Sequence, residues 1–260
     1  MNNITFEVPL ISIITVTFNS EKYIEQCIKS VLEQTYPNIE YIIIDGNSND
    51  KTCEIIEKYI ENITHFVSES DNGIYDALNK GIKLSKGKYI GFLNSDDFYS
   101  NREVVQNIVN KFINTDADYI FSNLDIVAPE NTKKILRSIS ISNINFFMMR
   151  IGIMPPHPTI YYSRKIFQKI GYFDLEFKIA SDYDHFLRIM MTKDFKFSYL
   201  NLYTVTMRSG GISNKSLKNK LVLNKEILKS SKKNRFYTNI IFLSLKIPFR
   251  LIEYLRKNKK

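Results

Sequence analysis

The sequence predicts an α/β fold with a Rossmann-like, mostly parallel central sheet, flanking helices and a basic helical C-terminal tail. Two observations lead to this prediction. In the first half of the 260-residue chain, apolar runs of strand composition alternate with segments of helical periodicity. The charge is also uneven, because residues 215–260 carry 14 Lys and Arg but only two Glu, whereas the whole chain has a net charge of +9.

The first half contains four predicted strands, at residues 10–17, 39–44, 65–67 and 88–93. Continuous β-branched runs such as the first are typical of strands that are buried on both faces. Apolar side chains recur at helical spacing between these strands, over residues 23–32, 55–59 and 74–82. We expect Asn19 and Ser20 to cap the first of these helices and Gly87 to end the third. Strands that alternate with helices in this way form parallel sheets with right-handed crossovers.

The second half is less regular. Further helices are predicted at residues 103–112, 163–170 and 181–191, and further strands at 118–122, 159–162 and 195–205. Gly171 is expected to end the second of these helices, and Ser181 to cap the third. Residues 124–156 allow no assignment. The predicted organisation is one domain over residues 8–213, followed by the tail, residues 214–260.

Cysteine usage and hydropathy exclude several classes of protein. Cys27 and Cys53 lie on apolar faces of predicted helices and lack the His or Cys neighbours of a zinc site or a thiolate nucleophile. We therefore expect free thiols. The sequence shows neither the pattern of a signal peptide nor an apolar run of 18 residues, so neither a secretory signal nor a transmembrane helix is expected.

Polar side chains follow each of the first four predicted strands. They are Thr17, Asn19, Asp45, Asp71, Asp96 and Asp97. The carboxyl ends of parallel strands meet at one sheet edge, where open α/β sheets bind ligands. Adjacent carboxylates after a buried strand are costly unless a cation meets them, and carboxylate oxygens suit Mg2+ or Mn2+. The edge therefore predicts a nucleotide, metal or sugar site, although Asn-Ser-Asp-Asp is also an ordinary turn sequence.

The order of these motifs resembles that of the family 2 glycosyltransferases of bacterial surface-polysaccharide pathways, which adopt the GT-A fold. Six segments carry the resemblance: residues 12–19, 45–50, 69–81, 92–97, 171–174 and 180–188. The resemblance covers about residues 8–213 and leaves the tail outside. It implies a nucleotide-sugar half over about residues 8–123 and an acceptor half over about residues 124–213.

The family resemblance implies an inverting, metal-dependent transfer of a sugar from a nucleotide-diphosphate donor, with a UDP-sugar favoured. The acceptor would be a saccharide or a lipid-linked saccharide in the biosynthesis of a polysaccharide such as a capsule or lipopolysaccharide. In this reading Asp45 contacts the base, Asp71 supports the nucleoside, and Thr17 and Asn19 line the nucleotide pocket.

The resemblance also assigns the metal and nucleotide motif to the turn after the fourth strand. Asp96 would contact the nucleotide and Asp97 would be the direct ligand of Mg2+ or Mn2+. The family usually has an acidic residue two positions before the last Asp. Ser95 occupies that position here, so the first carboxylate is shifted by one residue.

An inverting transfer in one step needs a general base, and Asp182 and Asp184 are the candidates. They lie about 200° apart on a helix, so only one faces the site. The resemblance assigns the base to Asp182, near a helix N-terminus that favours an ionised carboxylate; a capping role is the alternative. Asp184 is also placed to pair with Arg188. Further candidates for acceptor or diphosphate contacts are His157, Asp184 and Arg208, and a packed core histidine is the alternative for His157.

The tail mixes apolar residues with Lys and Arg over residues 236–255, with a break at Pro248. This pattern is typical of an amphipathic segment that binds an anionic membrane surface. It would place a cytoplasmic enzyme at the inner face of the cytoplasmic membrane. The alternative is a helix that packs on the domain with a charged, solvated face.

Two other function classes fit parts of the pattern. A nucleotidyltransferase would need a basic loop after the first strand, and residues 18–21 contain none. A nonenzymatic binder of an anionic polymer or lipid would use the tail. No nucleic-acid-binding signature appears, so a nucleic-acid partner is not expected.

Overall fold

A computed structural model of the chain describes residues 8–210 and 217–248. The strands within them are β1 (Ile11–Thr17), β2 (Ile39–Asp45), β3 (His65–Ser68), β4 (Tyr89–Phe92), β5 (Phe98–Tyr99), β6 (Tyr119–Ala128), β7 (Asn131–Ile139), β8 (Ile160–Ser163) and β9 (Phe197–Arg208). The helices are α1 (Ile24–Leu32), α2 (Thr52–Glu57), α3 (Ile74–Leu84), α4 (Val104–Thr115), α5 (Phe146–Arg150), α6 (Arg164–Ile170), α7 (Ser181–Thr192), α8 (Leu217–Lys233) and α9 (Ile240–Ser244). Short 3-10 turns cover Ile60–Asn62 and His157–Thr159.

The described strands form one sheet in the order β3-β2-β1-β4-β8-β6-β9-β5, and β7 pairs with β6. Strands β1 to β4 are parallel, as predicted. The register of β1 and β2 pairs Ile11 with Ile39 and Thr17 with Asp45, so both strands end at the same level. The polar turns that follow them therefore share one edge, which confirms that prediction.

The second half of the chain adds the antiparallel pairs. Strand β8 runs antiparallel to β4 and to β6, β5 is antiparallel to β9, and β6 is parallel to β9. The stretch 124–156, for which the sequence allowed no assignment, contains the end of β6, the edge strand β7 and the short helix α5.

Two apolar clusters cover the two faces of the sheet. Side chains alternate along β1, so that Ile11 and Ile13 face α1 and α4, whereas Ile14 and Val16 face α3. The face that carries α3 continues through α6, α7 and α8. Burial of both faces explains why the strands have continuous apolar sequences rather than alternating ones.

The beginning of α1 differs from the prediction. The helix starts at Ile24 and neither Asn19 nor Ser20 caps it. Asn19 has a left-handed φ of 48°, and the backbone N–H of Ser20 donates to Oγ1 of Thr52 at 2.7 Å. Both residues are bonded to the segment that follows β2, because tertiary contacts override the local capping preference.

Two other helix ends also differ from the prediction, and one agrees. Helix α3 ends at Leu84, before Gly87; a Cβ at Gly87 would lie 2.5 Å from the backbone nitrogen of Ser12, so this glycine permits a close approach between segments. Ser181 is the first residue of α7 rather than its cap. Gly171 ends α6 with a φ of 81°, as predicted.

The described part of the tail, residues 217–248, packs on the domain. Ile227, Phe236 and Leu243 are buried in the cluster that contains α3 and α7. Exposed ion pairs join Lys229 and Lys233 of α8 to the loop before α7. Among the described residues, no helix is both long and apolar enough to cross a membrane.

Candidate functional site

The turns after β1 and β2 interlock at the carboxyl edge of the sheet. The backbone N–H of Asn19 donates to Oγ of Ser48 at 2.8 Å, and Oδ1 of Asn19 accepts the N–H of Asn49 at 2.9 Å. The N–H of Gly46 donates to the carbonyl of Thr17 at 2.9 Å. The hydroxyl of Thr17 is buried and has no hydrogen-bond partner among the described residues.

Asp45 is fully buried behind this edge. Its Oδ2 accepts hydrogen bonds from the backbone N–H of Ser48 at 2.9 Å and from the hydroxyl of Ser68 at 2.7 Å. The thiol of Cys53 lies 3.3 Å from the same oxygen. These contacts tie the ends of β2 and β3 to the intervening turn. They give Asp45 a clear role in shaping the edge, and its contact to a nucleotide base stays a prediction.

Asp71 reaches the same edge from the turn after β3. Its Oδ1 accepts the backbone N–H of Gly73 at 2.8 Å. A Cβ at Gly46 would lie 2.7 Å from Oδ2 of Asp71, so a larger residue at this position would displace the carboxylate. The structure thus brings Thr17, Asn19, Asp45 and Asp71 together, as the sequence predicted.

Asp96 and Asp97 follow β4. Asp97 is fully buried; its Oδ2 is 3.3 Å from Nδ2 of Asn94, and its Oδ1 has no partner in the described part of the chain. Burial, followed by the charge of Asp96, raises the pKa of Asp97 well above its usual range. Burial also raises the pKa of Asp96, and Arg208 opposes that shift.

These two carboxylates fit a hard divalent cation. A cation would supply the missing partner of Asp97 and relieve the repulsion between adjacent acids. The described residues contain no group of three His, Cys, Asp or Glu side chains that could hold a metal. The protein would therefore contribute two carboxylates, and phosphate and water oxygens would complete the coordination, as is usual for Mg2+.

Arg208, the last residue of β9, lies beside this acidic pair and is 4% exposed. Its guanidinium donates to the carbonyl of Asp96 and to the side chain of Gln26. It also packs 4.5 Å from the ring centre of Tyr23 and 5.1 Å from that of Phe98.

Asp182 is the second residue of α7 and is partly exposed. Its Oδ1 accepts the backbone N–H of Tyr183 at 2.8 Å and the hydroxyl of Tyr75 at 3.1 Å. Tyr75 belongs to the first turn of α3, directly after the turn that carries Asp71. This hydrogen bond connects the first turn of α7 to the beginning of α3, next to the edge formed by β1 to β4.

The two candidate histidines differ in their surroundings. The His157 ring stacks on Phe92 of β4 at 5.2 Å; burial lowers its pKa, and the negative charge of Asp182 opposes the shift. His185 is fully buried, with Nε2 at 3.0 Å from the carbonyl of Gly171. Burial lowers the pKa of His185 to about 3, which fits a packed core residue.

Asp184 is 1% exposed and joins α7 to α8. Its Oδ2 pairs with Nε of Arg188 at 2.9 Å, as predicted. Its Oδ1 accepts hydrogen bonds from Ser230 and Asn234, each at 2.8 Å. These contacts favour the structural interpretation of Asp184 over a contact to acceptor or diphosphate.

The sequence did not predict the site contacts of three residues, namely Gln26, Tyr75 and Glu226. Tyr75 belongs to a segment that matched the family, but it was expected to pack only. Glu226 is the single acidic residue in the basic stretch 217–248. A lone carboxylate in such a stretch is a usable signal for a specific contact, although the sequence does not show its partner. Gln26 gave no signal.

The fold and the site together define an α/β protein of GT-A type whose sheet edge is lined with carboxylates. Residues 12–181 match the family described as Glycosyl transferase family 2. Because this match covers well over half of the chain, the protein belongs to that family, which confirms the resemblance.

Curated relatives of similar sequence agree with this family assignment. A Rickettsia typhi protein named as an uncharacterised glycosyltransferase is 33% identical over 203 residues, which are 74% of this chain and 62% of the relative. A Mycobacterium bovis protein named as a PGL/p-HBAD biosynthesis glycosyltransferase is 25% identical over 232 residues, 85% of this chain and 83% of its own. The chain thus spans about three fifths of the length of the Rickettsia relative.

Two solved structures show the same fold. S. aureus TarS 1-349 in complex with UDP-GlcNAc has a TM-score of 0.66 at 20% identity, covering 85% of this chain and 72% of that chain. Mannosyltransferase PcManGT from Pyrobaculum calidifontis, in complex with GDP-Man and Mn2+, has a TM-score of 0.65 at 15% identity, covering 91% and 67%. At these identities the likeness concerns the fold alone.

Proposed function

We propose that this protein is an inverting glycosyltransferase that moves a sugar from a nucleotide-diphosphate donor, with a UDP-sugar favoured, to a saccharide or lipid-linked saccharide during polysaccharide biosynthesis. The observation that carries the proposal is the convergence of two sets of carboxylates. Asp71 and Asp96 lie on the edge formed by β1 to β4, and the hydroxyl of Tyr75, which follows the turn that carries Asp71, is 3.1 Å from Oδ1 of Asp182.

The nucleotide edge would bind the donor. Thr17 and Asn19 would line the pocket, Asp45 would contact the base and Asp71 the nucleoside. Membership of Glycosyl transferase family 2 supports this assignment. The solved relatives with bound UDP-GlcNAc and GDP-Man support a nucleotide-sugar donor as the class of ligand.

Asp97, with Asp96 beside it, would hold Mg2+ or Mn2+. When bound, such an ion acts as a Lewis acid that stabilises negative charge on the departing diphosphate. Arg208 would add a fixed positive charge beside Asp96, since its guanidinium is bonded to the carbonyl of that residue. Its burial between two aromatic rings holds it in place before the donor arrives.

Asp182 would act as the general base. Its carboxylate takes the proton of the acceptor hydroxyl while the hydroxyl oxygen attacks the anomeric carbon. The bond from that carbon to the diphosphate breaks on the opposite face, so the configuration inverts. The place of Asp182 in the first turn of α7 and its partial exposure support this role.

We also infer that the protein associates with the inner face of an anionic membrane through α9 and the residues around it. Ile241 and Ile247 are 71% and 74% exposed, and Tyr237 is 64% exposed. The charge of the sequence around them is strongly positive. An apolar surface beside basic residues favours anionic lipid, and a lipid-linked acceptor would be reached there.

Calorimetric titration with UDP, GDP, dTDP and CMP, with and without Mn2+, tests the proposal. We expect one nucleotide to bind in a Mn2+-dependent manner and thereby to name the donor class. Transfer from the corresponding nucleotide sugar should then follow. Failure of all four nucleotides to bind would contradict the proposed function.

A further inference from the structure

Helix α8 contacts the segment that leads into α7, and this contact has a specific chemistry. The carboxylate of Glu226 accepts three backbone N–H groups: Oε1 accepts Lys178 at 2.9 Å, and Oε2 accepts Ile179 at 2.8 Å and Ala180 at 2.9 Å. Consecutive N–H groups that converge on one carboxylate form charge-assisted hydrogen bonds, which are short and directional.

Tyr75 of α3 holds the other side of the same segment. Its hydroxyl lies 2.7 Å from the carbonyl of Ile179 and 3.1 Å from Oδ1 of Asp182. The Tyr75 ring is 8% exposed and packs against Phe173 at 5.7 Å. Ile179 thus has its N–H bonded to α8 and its carbonyl bonded to α3.

From this geometry we propose that Glu226 and Tyr75 are positioning residues that together clamp the segment 178–182 and hold Asp182 in its productive orientation; the kinetic part of this proposal rests on the proposed function. Part of the predicted tail is then a component of the active site. Asp182, the second residue of α7, follows the last N–H that Glu226 binds by only two residues, so a shift of this segment moves the carboxylate directly.

The clamp is separable from the general attachment of α8. Asp184 holds α8 through Ser230 and Asn234, and Ile227 is buried against the domain. Helix α8 therefore remains docked when Glu226 alone is changed. This separation makes a single-residue test possible.

Glu226→Gln is the first variant, and Glu176→Gln is its matched control. Glu176 pairs with Lys229 at 2.6 Å and with Lys233 at 3.1 Å, so its change removes one negative charge and two of the ion pairs between α8 and the same loop. It leaves the three N–H bonds of Glu226 in place. Any difference between the two variants then reports the clamp rather than the net charge.

Hydrogen exchange read by mass spectrometry tests the clamp without any substrate. We expect the amides of residues 178–180 to exchange about tenfold faster in Glu226→Gln than in wild type, and Glu176→Gln to exchange like wild type. Unchanged exchange in Glu226→Gln would overturn the proposal. Because this readout needs no donor or acceptor, it is independent of whether the proposed function is correct.

Kinetics test the consequence for Asp182. In Glu226→Gln we expect kcat to fall about tenfold to a hundredfold with an unchanged Kd for the nucleotide. In Tyr75→Phe, the ring packing stays but both contacts of the hydroxyl are lost, so kcat should likewise fall about tenfold or more while the nucleotide Kd stays unchanged.

These experiments distinguish the proposed function from the clamp formed by Glu226 and Tyr75. If the wild-type protein binds no nucleotide, the proposed function is contradicted. Hydrogen exchange then still tests the clamp by itself. If the wild-type protein turns over and both variants keep a normal kcat, the positioning role is overturned. If Glu226→Gln fails to fold, Tyr75→Phe tests the same segment from α3.

Discussion

At the scale of single residues, Asp97 has the least favourable environment of the site. Its carboxylate is fully buried and one oxygen lacks a partner in the described structure. An unpaired buried carboxylate destabilises a protein, and removing it is often neutral or stabilising. A buried carboxylate oxygen without a partner is a candidate ligand for a cation, and a divalent cation with a diphosphate is the partner that we propose.

Asp97→Asn should separate stability from binding. In EDTA we expect the variant to be as stable as wild type or more stable by about 1 kcal/mol, because the free-energy cost of burying an ionisable carboxyl group is removed. Mn2+-dependent nucleotide binding should be lost. Thermal unfolding in EDTA and calorimetry with Mn2+ measure the two effects. Asp116→Asn, at an exposed helix end, is the control; Mn2+-dependent binding that survived in Asp97→Asn would refute the ligand assignment.

Asp182→Asn should spare donor binding and stop transfer. The amide cannot accept the acceptor proton, so kcat should fall by about 10²- to 10⁴-fold with an unchanged nucleotide Kd. Single-turnover transfer assays beside calorimetry measure this. Near-normal turnover would show that Asp182 is not the base. Asp184 would be the remaining candidate, although its buried bonds to Arg188 and α8 favour a structural role.

His185 should make the protein less stable in mild acid. Its pKa is lowered to about 3 in the folded state from an ordinary value of 6.5, so below pH 6.5 the unfolded chain binds a proton that the folded protein does not. This residue therefore lowers the unfolding free energy by about 1 kcal/mol for each pH unit below 6.5.

Urea unfolding of His185→Gln and wild type at pH 7 and pH 5 measures this effect. The variant should be less stable at pH 7, because it loses the ring stack on Phe167. It should nevertheless lose less stability between the two pH values. A parallel decrease in both proteins would show that other groups cause the pH dependence.

At the scale of elements, helix α3 shows how tertiary packing can reverse an intrinsic preference. Gly81 lies in its interior, where Ala normally stabilises a helix by about 1 kcal/mol. A Cβ there would lie 2.4 Å from Cγ2 of Ile14 on β1, and Ile is stiff at χ1. The glycine thus lets α3 approach the sheet and sets the height of Tyr75 and Asp71 above it.

Gly81→Ala should therefore destabilise the protein by about 1–3 kcal/mol, as overpacking does. Lys83→Ala, at an exposed position of the same helix, should change the unfolding free energy by less than about 0.5 kcal/mol. Equilibrium urea unfolding measures both. Stabilisation by Gly81→Ala would show that helix propensity outweighs the contact with Ile14.

Elements differed in how well the sequence predicted them. Strands β1 to β4 were predictable because burial on both faces gives them continuous apolar runs. Strand β7 was not, because it pairs only along β6 and its residues are mostly exposed. Its sequence therefore lacks periodicity. The predicted cap of α1 was wrong because Ser20 is bonded to Thr52, a contact across 32 residues that local capping rules do not include.

The residues of the site also differed in how well the sequence predicted their positions. Asp45, Asp71 and the pair after β4 were predictable, because parallel strands bring their carboxyl ends to one edge. The contact of Glu226 with the loop before α7 spans 46 to 48 residues and has no local signature. The two cysteines were expected to be free, and the described structure contains both as free thiols.

At the scale of the whole molecule, charge and burial divide the tail into two parts. Helix α8 contributes Ile227 to the core and Glu226 to the loop before α7. Helix α9 buries Leu243 but leaves Ile240 and Ile241 59% and 71% exposed. One part of the tail therefore completes the domain, and the other offers an apolar surface among basic residues.

Membrane binding should depend on that surface. Because deletion of residues 215–260 would also remove α8 from the core, point substitutions make the better test. We expect wild type to sediment with vesicles that contain phosphatidylglycerol more than with pure phosphatidylcholine, and less at high salt. Ile241→Ser with Ile247→Ser should weaken this binding about tenfold or more, because two apolar side chains no longer enter the interface.

Leu221→Ser, at a 63% exposed position of α8, is the control and should bind like wild type. Equal binding of the double variant and wild type would place the contact elsewhere, and no binding by wild type would mean that α9 serves only to cover the domain.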